Sequence, residues 1–213
     1  MRRTNILDTF LSEVDNALRT LAPPIKRVSG RRSPADSMTD SPLSTQEKKH
    51  ISGLMRVNHA GEVCAQALYQ GQALTAQLTH IKQQMSEAAA EEIDHLAWCE
   101  ERLDELSSKP SMLNPLWYSG SLLLGAIAGF AGDKISLGFV AETERQVSMH
   151  LQSHLQKLPA QDKKSQAILT QMQKDEELHA EMAIGAGAIE LPYPVKQIMR
   201  FISKLMTKTS YYI

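Results

Sequence analysis

The residues best suited to chemistry in this chain are glutamates and histidines at helical spacing. Glu92-Ile93-Asp94-His95 and Glu176-Glu177-Leu178-His179 each set a carboxylate and an imidazole three residues apart. On a helix, positions i and i+3 project from one face, so both side chains can reach the same ion. A third pair, Glu47-Lys48-Lys49-His50, lies among lysines at a helix start and off any apolar stripe. With 15 glutamates and seven histidines in 213 residues, roughly half a match is expected by accident. The Glu47 pair is read as the accidental one.

The other two pairs interrupt apolar stripes. Ile81, Met85 and Ala88 lead to Glu92 and His95, followed by Cys99 and Leu106. Leu169 and Met172 lead to Glu176 and His179, followed by Ala183. A third stripe, Leu137, Val140, Val147, Leu151, Leu155 and Leu158, carries Glu144 in its middle. A carboxylate on a buried face must be paired, protonated or bound to a cation, because burying it alone costs several kcal/mol. Glu62 is the fourth member, assigned partly by elimination and partly by spacing. It lies beside the stripe of Val57, Gly61, Cys64 and Leu68, on a face with His59, Ala65 and Tyr69. Glu62 to Glu92 is 30 residues and Glu144 to Glu176 is 32.

The order Glu, Glu-x-x-His, Glu, Glu-x-x-His is that of carboxylate-bridged dimetal sites in ferritin-like four-helix bundles. The expected ligands are Glu62, Glu92, His95, Glu144, Glu176 and His179, with no further catalytic residue assigned. Carboxylate with imidazole suits iron or manganese, and the two cysteines, Cys64 and Cys99, form no thiolate site for structural zinc. Glu142 competes with Glu144, but the two point about 200° apart around a helix. Glu142 aligns with the weaker stripe of Ile135, Phe139 and Met149, so Glu144 is chosen. His59 and His150 are candidates to orient a ligand carboxylate, and Asp94 and Asp175 to hold ligand imidazoles across the bundle. Ordinary hydrogen-bonding roles stand beside these. His80 and His154 are read as surface residues.

Helices must position these groups, and strand signals are nearly absent. The expected fold is all-α: long helices at 45–79, 81–108, 133–158 and 162–190, with membrane-associating helical segments added. Ser44 with Glu47 reads as a capping box opening the first. Proline breaks at Pro110, Pro115, Pro159 and Pro192 separate the elements. Three regions are expected. Residues 1–22 form an amphipathic helix, with Leu7, Leu11, Val14, Leu18 and Leu21 on one stripe from Thr4 onward. Residues 23–43, with Pro23-Pro24 and Arg31-Arg32-Ser33-Pro34, form a flexible linker. Residues 44–213 form the metal-binding domain.

Within that domain, 116–131 (LWYSGSLLLGAIAGFA) has no charge. It is shorter than the roughly 20 residues a helix needs to cross a bilayer. It reads either as a buried core helix or as an interfacial segment with Trp117 and Tyr118 at headgroup level. The helix at 195–208 is amphipathic and basic, with Lys196, Arg200, Lys204 and Lys208. A net charge of −1 gives no sign of nucleic-acid binding. The charged start is followed by no apolar stretch of a secretory signal.

At these residues a family enters. Arg56-Val57-Asn58-His59-Ala60-Gly61-Glu62, Glu92-Ile93-Asp94-His95, Gly132-Asp133-Lys134-Ile135-Ser136-Leu137-Gly138-Phe139-Val140 leading to Glu142-Thr143-Glu144, and Asp175-Glu176-Glu177-Leu178-His179-Ala180 resemble the demethoxyubiquinone hydroxylases of ubiquinone biosynthesis. The resemblance runs from about residue 45 to the C-terminus and touches the opening helix. It implies two iron ions held by the same six ligands. The activity implied is hydroxylation of a polyprenylated demethoxyubiquinol with dioxygen. The place implied is peripheral, on the cytoplasmic face of a bacterial inner membrane or on the mitochondrial inner membrane in a eukaryote. Its implied partners are the quinol, dioxygen, the membrane surface and other proteins of the pathway, without nucleic acid. Two other classes stand against it. One is a soluble ferritin-like ferroxidase or rubrerythrin-like peroxidase, which has no need of 116–131. The other is a membrane-binding scaffold whose buried acids pair with arginine; Arg56, Arg102 and Arg145 are too few and scattered for that.

Overall fold

The computed structural model describes residues 6–22, 27, 29–39 and 41–213, without the side chains of residues 6–10, Glu13 and Lys82. Thr4, Leu7's part in the first stripe, and Pro23-Pro24 therefore fall outside what is described. Seven helices follow one another: α1 (Ile6–Leu21), α2 (Thr45–Thr75), α3 (Thr79–Glu105), α4 (Asn114–Phe130), α5 (Asp133–Leu155), α6 (Lys163–Gly185) and α7 (Tyr193–Ser210). No strand occurs among the described residues.

Local chemistry sets the boundaries. Ser44 Oγ accepts from the Glu47 amide at 3.2 Å, and the Ser44 amide donates to Glu47 Oε2 at 2.8 Å, closing the expected capping box. Two orphan amides at the start of α2 are thus satisfied. The first bundle helix ends at Thr75 rather than at 79. There Asp133, at the start of α5, accepts from the amides of Gln77 and Leu78 at 3.0 and 2.9 Å. Helix α6 stops at Gly185 rather than at 190, because Gly187 takes φ +101°, a conformation glycine adopts without strain. Gly132, at φ +112°, makes the corresponding turn between α4 and α5.

Helices α2, α3, α5 and α6 form the bundle, with α2 packed along α3 and α5 along α6. The crossover from α3 to α5 carries α4, which lies along α2. The core has two apolar plugs. One gathers Ile51, Met55, Trp98, Leu103, Leu151 and Leu169. The other gathers Tyr69, Ile81, Met85, Leu137, Val140 and Ala183. On every bundle helix the ligand candidates fall between the two plugs in sequence. The acids therefore form a polar layer sealed at both ends.

Residues 29–39 lie along the bundle. Ala35 is buried in the first plug, and Ser29 Oγ and the Gly30 amide both donate to Asp94 on α3, at 2.8 and 2.7 Å. His154, expected at the surface, is buried. Its Nδ1 faces Asn58 Oδ1 at 2.8 Å, and its ring lies 3.9 Å from that of His150. Periodicity missed this because the α5 stripe ran through Leu151 and Leu155 and left no place for a fourth-turn partner on α2. Burial lowers both histidines from 6.5, His150 to about 4 and His154 to about 2, so the pair stays neutral.

Helix α4 meets α2 backbone to backbone. A Cβ placed on Gly71 would lie 2.2 Å from the Leu122 carbonyl oxygen, and one on Gly125 2.2 Å from that of Leu68. The opposite face of α4 stays exposed at Leu116, Leu123, Ile127 and Phe130. One face of the uncharged segment is therefore core and the other is open, and Tyr118, expected at headgroup level, is instead buried with its hydroxyl donating to Gln70 Oε1. Gly125→Ala should destabilise the protein by about 1–3 kcal/mol, since the neighbour is backbone and cannot swing aside. Gly120→Ala, with open space around it, should gain about 0.5–1 kcal/mol from helix propensity. Thermal or urea unfolding of the two variants checks this, and similar effects from both would remove the close helix contact.

Candidate metal centre

The six expected ligands sit on four helices: Glu62 on α2, Glu92 and His95 on α3, Glu144 on α5, and Glu176 and His179 on α6. All six are buried. One ligand atom each from Glu62, Glu92, His95 and Glu176 lie within 4.8 Å of one another, close enough to hold a metal ion.

Glu92 and Glu176 each face two ways. Glu92 Oε2 lies 3.2 Å from His95 Nδ1 and its Oε1 lies 3.5 Å from His179 Nδ1. Glu176 Oε1 lies 3.1 Å from His95 Nδ1 and its Oε2 lies 3.3 Å from His179 Nδ1. Glu62 joins the His95 side, 3.4 Å from Nδ1. Glu144 stands across the site, where it accepts a short hydrogen bond from the Tyr69 hydroxyl. Two acids thus stand between two imidazoles, with one further acid toward each end.

Hydrogen bonding within the protein does not satisfy this layer. Glu92 Oε1, Glu144 Oε2 and Glu176 Oε1 are buried without a hydrogen-bond partner. Burial and then the neighbouring Glu92 charge push Glu62 well above the ordinary carboxylate range. Burial and the Glu176 charge do the same to Glu144. Burial also raises Glu92, but hydrogen bonds from His179 and His95 outweigh it and hold that acid below its usual value. The imidazoles answer in the opposite sense. Burial disfavours the charged form of both, yet the surrounding carboxylates hold His95 well above 6.5 and His179 at about 12. The layer thus balances its charge only by keeping protons on Glu62, Glu144 and both imidazoles; without those protons it is four carboxylates and two neutral imidazoles, a donor set that fits bound cations.

Each imidazole is held from behind. His95 Nε2 lies 2.9 Å from Asp175 Oδ2, and His179 Nε2 lies 2.7 Å from Glu91 Oε2. Both Nδ1 atoms therefore point into the site. Asp175 and Glu91 occupy matching positions, each directly before the glutamate of a Glu-x-x-His pair, and each reaches the histidine of the facing helix. Of the two aspartates considered for this role, Asp175 fills it and Asp94 does not. Asp94 lies two residues beyond Glu92, turned toward Arg31, whose Nε is 2.8 Å away. Aligning the two halves of the sequence on their motifs would have found Glu91.

Other candidates fall elsewhere. His59 Nε2 is 3.1 Å from Glu100, and Asn114 Nδ2 is 3.2 Å from its Nδ1, so it orients no ligand acid. His150 packs on His154. His50, of the third motif, faces the Tyr211 hydroxyl at 2.6 Å. Arg102 is buried on Asp162 at 2.9 Å, away from the layer. Glu142 is also buried, but toward α7 and not in the layer, accepting from Gln146 at 2.7 Å with Lys196 Nζ at 3.5 Å. Tyr69, which shares a helix face with Glu62, was in view as a face member without a role.

A helical bundle with a buried, cation-demanding layer of glutamates and histidines defines a ferritin-like protein of the metal-carboxylate class. The backbone agrees. The chain matches the solved bacterioferritin-related thioferritin of Bacteroides fragilis with a TM-score of 0.56 at 17% identity, over 74% of this chain and 90% of that one. Within that class, residues 49–210 match the family model "Ubiquinone biosynthesis protein COQ7", and the chain belongs to this family. It is 71% identical over the full length of both chains to the 3-demethoxyubiquinol 3-hydroxylase of Legionella pneumophila strain Paris. It is 58% identical, again over both full lengths, to that of Acinetobacter baylyi.

Both acids are buried, but only Glu144 joins the layer while Glu142 meets Gln146 and Lys196, and that difference generates a test. Glu144→Ala should abolish function, while Glu142→Ala should keep most of it. Growth and ubiquinone content of a ubiquinone-deficient strain expressing each variant decide, and the reverse pattern would move the ligand to Glu142.

Proposed function

We propose that this enzyme of ubiquinone biosynthesis hydroxylates the ring of a polyprenylated demethoxyubiquinol with dioxygen, using two iron ions held by Glu62, Glu92, His95, Glu144, Glu176 and His179. The observation that carries the iron reading is the two-way placement of Glu92 and Glu176, each with one oxygen toward His95 and the other toward His179. The full-length relatives carry the reaction. Iron in such a donor set supplies reductive activation of dioxygen.

The protein's own residues do the rest. Glu92 and Glu176 would be shared between the two ions. Glu62 with His95 would complete one position and Glu144 with His179 the other. Asp175 and Glu91 hold the imidazole rings in orientation. The two apolar plugs keep water from the layer along the bundle axis. A cleft of about 710 Å³ between α5, α6 and α7 borders Glu144 and is lined in part by Met149, Ala180 and Ile184. Its other lining residues, among them Arg145, Gln152, Gln173, Glu177 and Lys196, are polar or charged, so a quinol ring reaching the Glu144 end here would pass a mostly polar wall.

The tail of such a substrate resides in lipid, and the surface provides for that. Leu123 and Ile127 on α4 are 62% and 55% exposed. Ile198, Phe201, Ile202 and Leu205 line an open face of α7, which also bears Lys196, Arg200, Lys204 and Lys208. The Trp117 indole donates to Ser210 Oγ at 3.0 Å, joining the start of α4 to the end of α7. Among the described residues, no helix is long and apolar enough to cross a membrane. This favours peripheral attachment to the inner membrane, with the apolar faces in the interface and the cations at its anionic surface.

Two outcomes are expected. Protein made in iron-replete medium should carry about two irons per chain, and cells lacking it should accumulate the demethoxy precursor, as quinone profiling by mass spectrometry reads out. One zinc per chain, or no metal in a fully helical protein, would refute the dimetal reading. Separately, Leu123→Glu with Ile127→Glu should shift the chain to the soluble fraction. Activity on long-tailed quinols should fall more than iron content does. Variants that stay on the membrane, or that lose iron and fold together, would make α4 core and not anchor.

A further inference from the structure

The two imidazoles are backed by acids of matching position, but the two backings are not equal. Glu91, behind His179, has a side chain 49% exposed. Among the described residues, no cation is recorded against it. Asp175, behind His95, is only 12% exposed and lies against Arg31, whose Nη1 is 3.0 Å from Asp175 Oδ2. The same guanidinium places Nε 2.8 Å from Asp94 Oδ2 on α3 and Nη2 3.4 Å from His95 Nε2. One planar fork thus ties α3 to α6 immediately behind a ligand imidazole.

Arg31 is itself fixed on several sides. Its guanidinium carbon stacks 4.9 Å over the Trp98 ring. Its carbonyl accepts from the Trp98 indole at 3.4 Å, and the hydroxyl of Ser29 and the amide of Gly30, the two residues before it, donate to Asp94. Trp98 is one turn beyond His95, with the two rings 5.3 Å apart. The strap that delivers Arg31 thereby covers the outer side of the His95 imidazole. Nothing comparable covers the outer side of His179 among the described residues.

We propose that Arg31 is a positioning residue that makes the two metal positions unequal: through Asp175 it locks His95, so the Glu62/His95 position holds its ion more firmly and releases it more slowly than the Glu144/His179 position. The inference rests on the dimetal reading above. Outer partners of a ligand imidazole commonly govern affinity by 10–100-fold. A locked imidazole cannot swing away to let its ion go, while one backed by a solvent-exposed glutamate can.

The test is iron release. The full chain is loaded anaerobically with ferrous iron and mixed with a ferrous chelator, and release is followed by absorbance. The wild-type protein should lose iron in two phases of similar amplitude. Arg31→Ala should speed the slow phase about tenfold or more and leave the fast phase alone. Arg31→Lys keeps the charge but cannot make both fork contacts, so it should accelerate the same phase to a smaller degree; it carries the test if the alanine variant loses its helicity. Asp175→Asn should act on the same phase, and combining it with Arg31→Ala should add little, since both break one linkage. Arg27→Ala is the control. Arg27 fastens the same stretch of chain to Glu100 at 2.9 Å without reaching the layer, and its loss should leave the slow phase unchanged. A single phase in the wild-type protein would overturn the proposal. So would a slow phase indifferent to both Arg31 variants, or equal acceleration by Arg27→Ala. Failure of the wild-type chain to take up iron at all would instead refute the dimetal reading beneath it.

Discussion

Four carboxylates share one dry layer in the middle of this bundle, and the rest of the molecule is arranged around that charge. In an apolar interior like charges at such separations cannot all stay ionised without compensation. The side chains alone compensate in part, by holding His95 and His179 in their charged forms and Glu62 and Glu144 in their neutral ones. That balance is held by protons, and it leaves Glu144 Oε2 buried without a hydrogen-bond partner. Bound cations would complete it. Apolar plugs above and below then serve two ends at once: they supply the burial that holds four helices together, and they keep the layer dry enough for its charges to be felt.

Much of this was legible in the sequence because the layer breaks a pattern. A glutamate amid leucine, valine and methionine at helical period is costly unless used, so Glu92, Glu144 and Glu176 declared themselves. Helix phase separated Glu144 from Glu142, and the structure turns the first inward and the second toward Lys196. Glu62 was harder, since α2 is buried over most of its length and has no clean polar face against which to measure a stripe. Residues that act from behind the layer were mostly not legible. Glu91 and Arg31 contact their targets across 88 and 64 residues, and spacing on one helix says nothing of which side chain a neighbouring helix will meet. Pro34 and the serines around Arg31 suggested a linker, while the hydrogen bonds from Ser29, Gly30 and Arg31 to Asp94 are tertiary and leave no periodic trace.

The uncharged segment shows a different limit. Hydropathy alone could not choose between core and interface for 116–131, because a helix with one face of each kind has the same composition as either. Geometry resolves it through glycine. Gly71 and Gly125 let two backbones touch on one side of α4, Leu122 packs inward beside them, and Leu116, Leu123, Leu124 and Ile127 are left exposed.

That contact has a mechanical meaning. With backbone against backbone at Gly71 and Gly125, α2 and α4 are coupled as parts of one body, and Gly71 lies nine residues along α2 from Glu62, about 14 Å at the rise of a helix. A tilt of α4 therefore carries α2 with it, and the height of Glu62 in the bundle follows the seating of the outer helix.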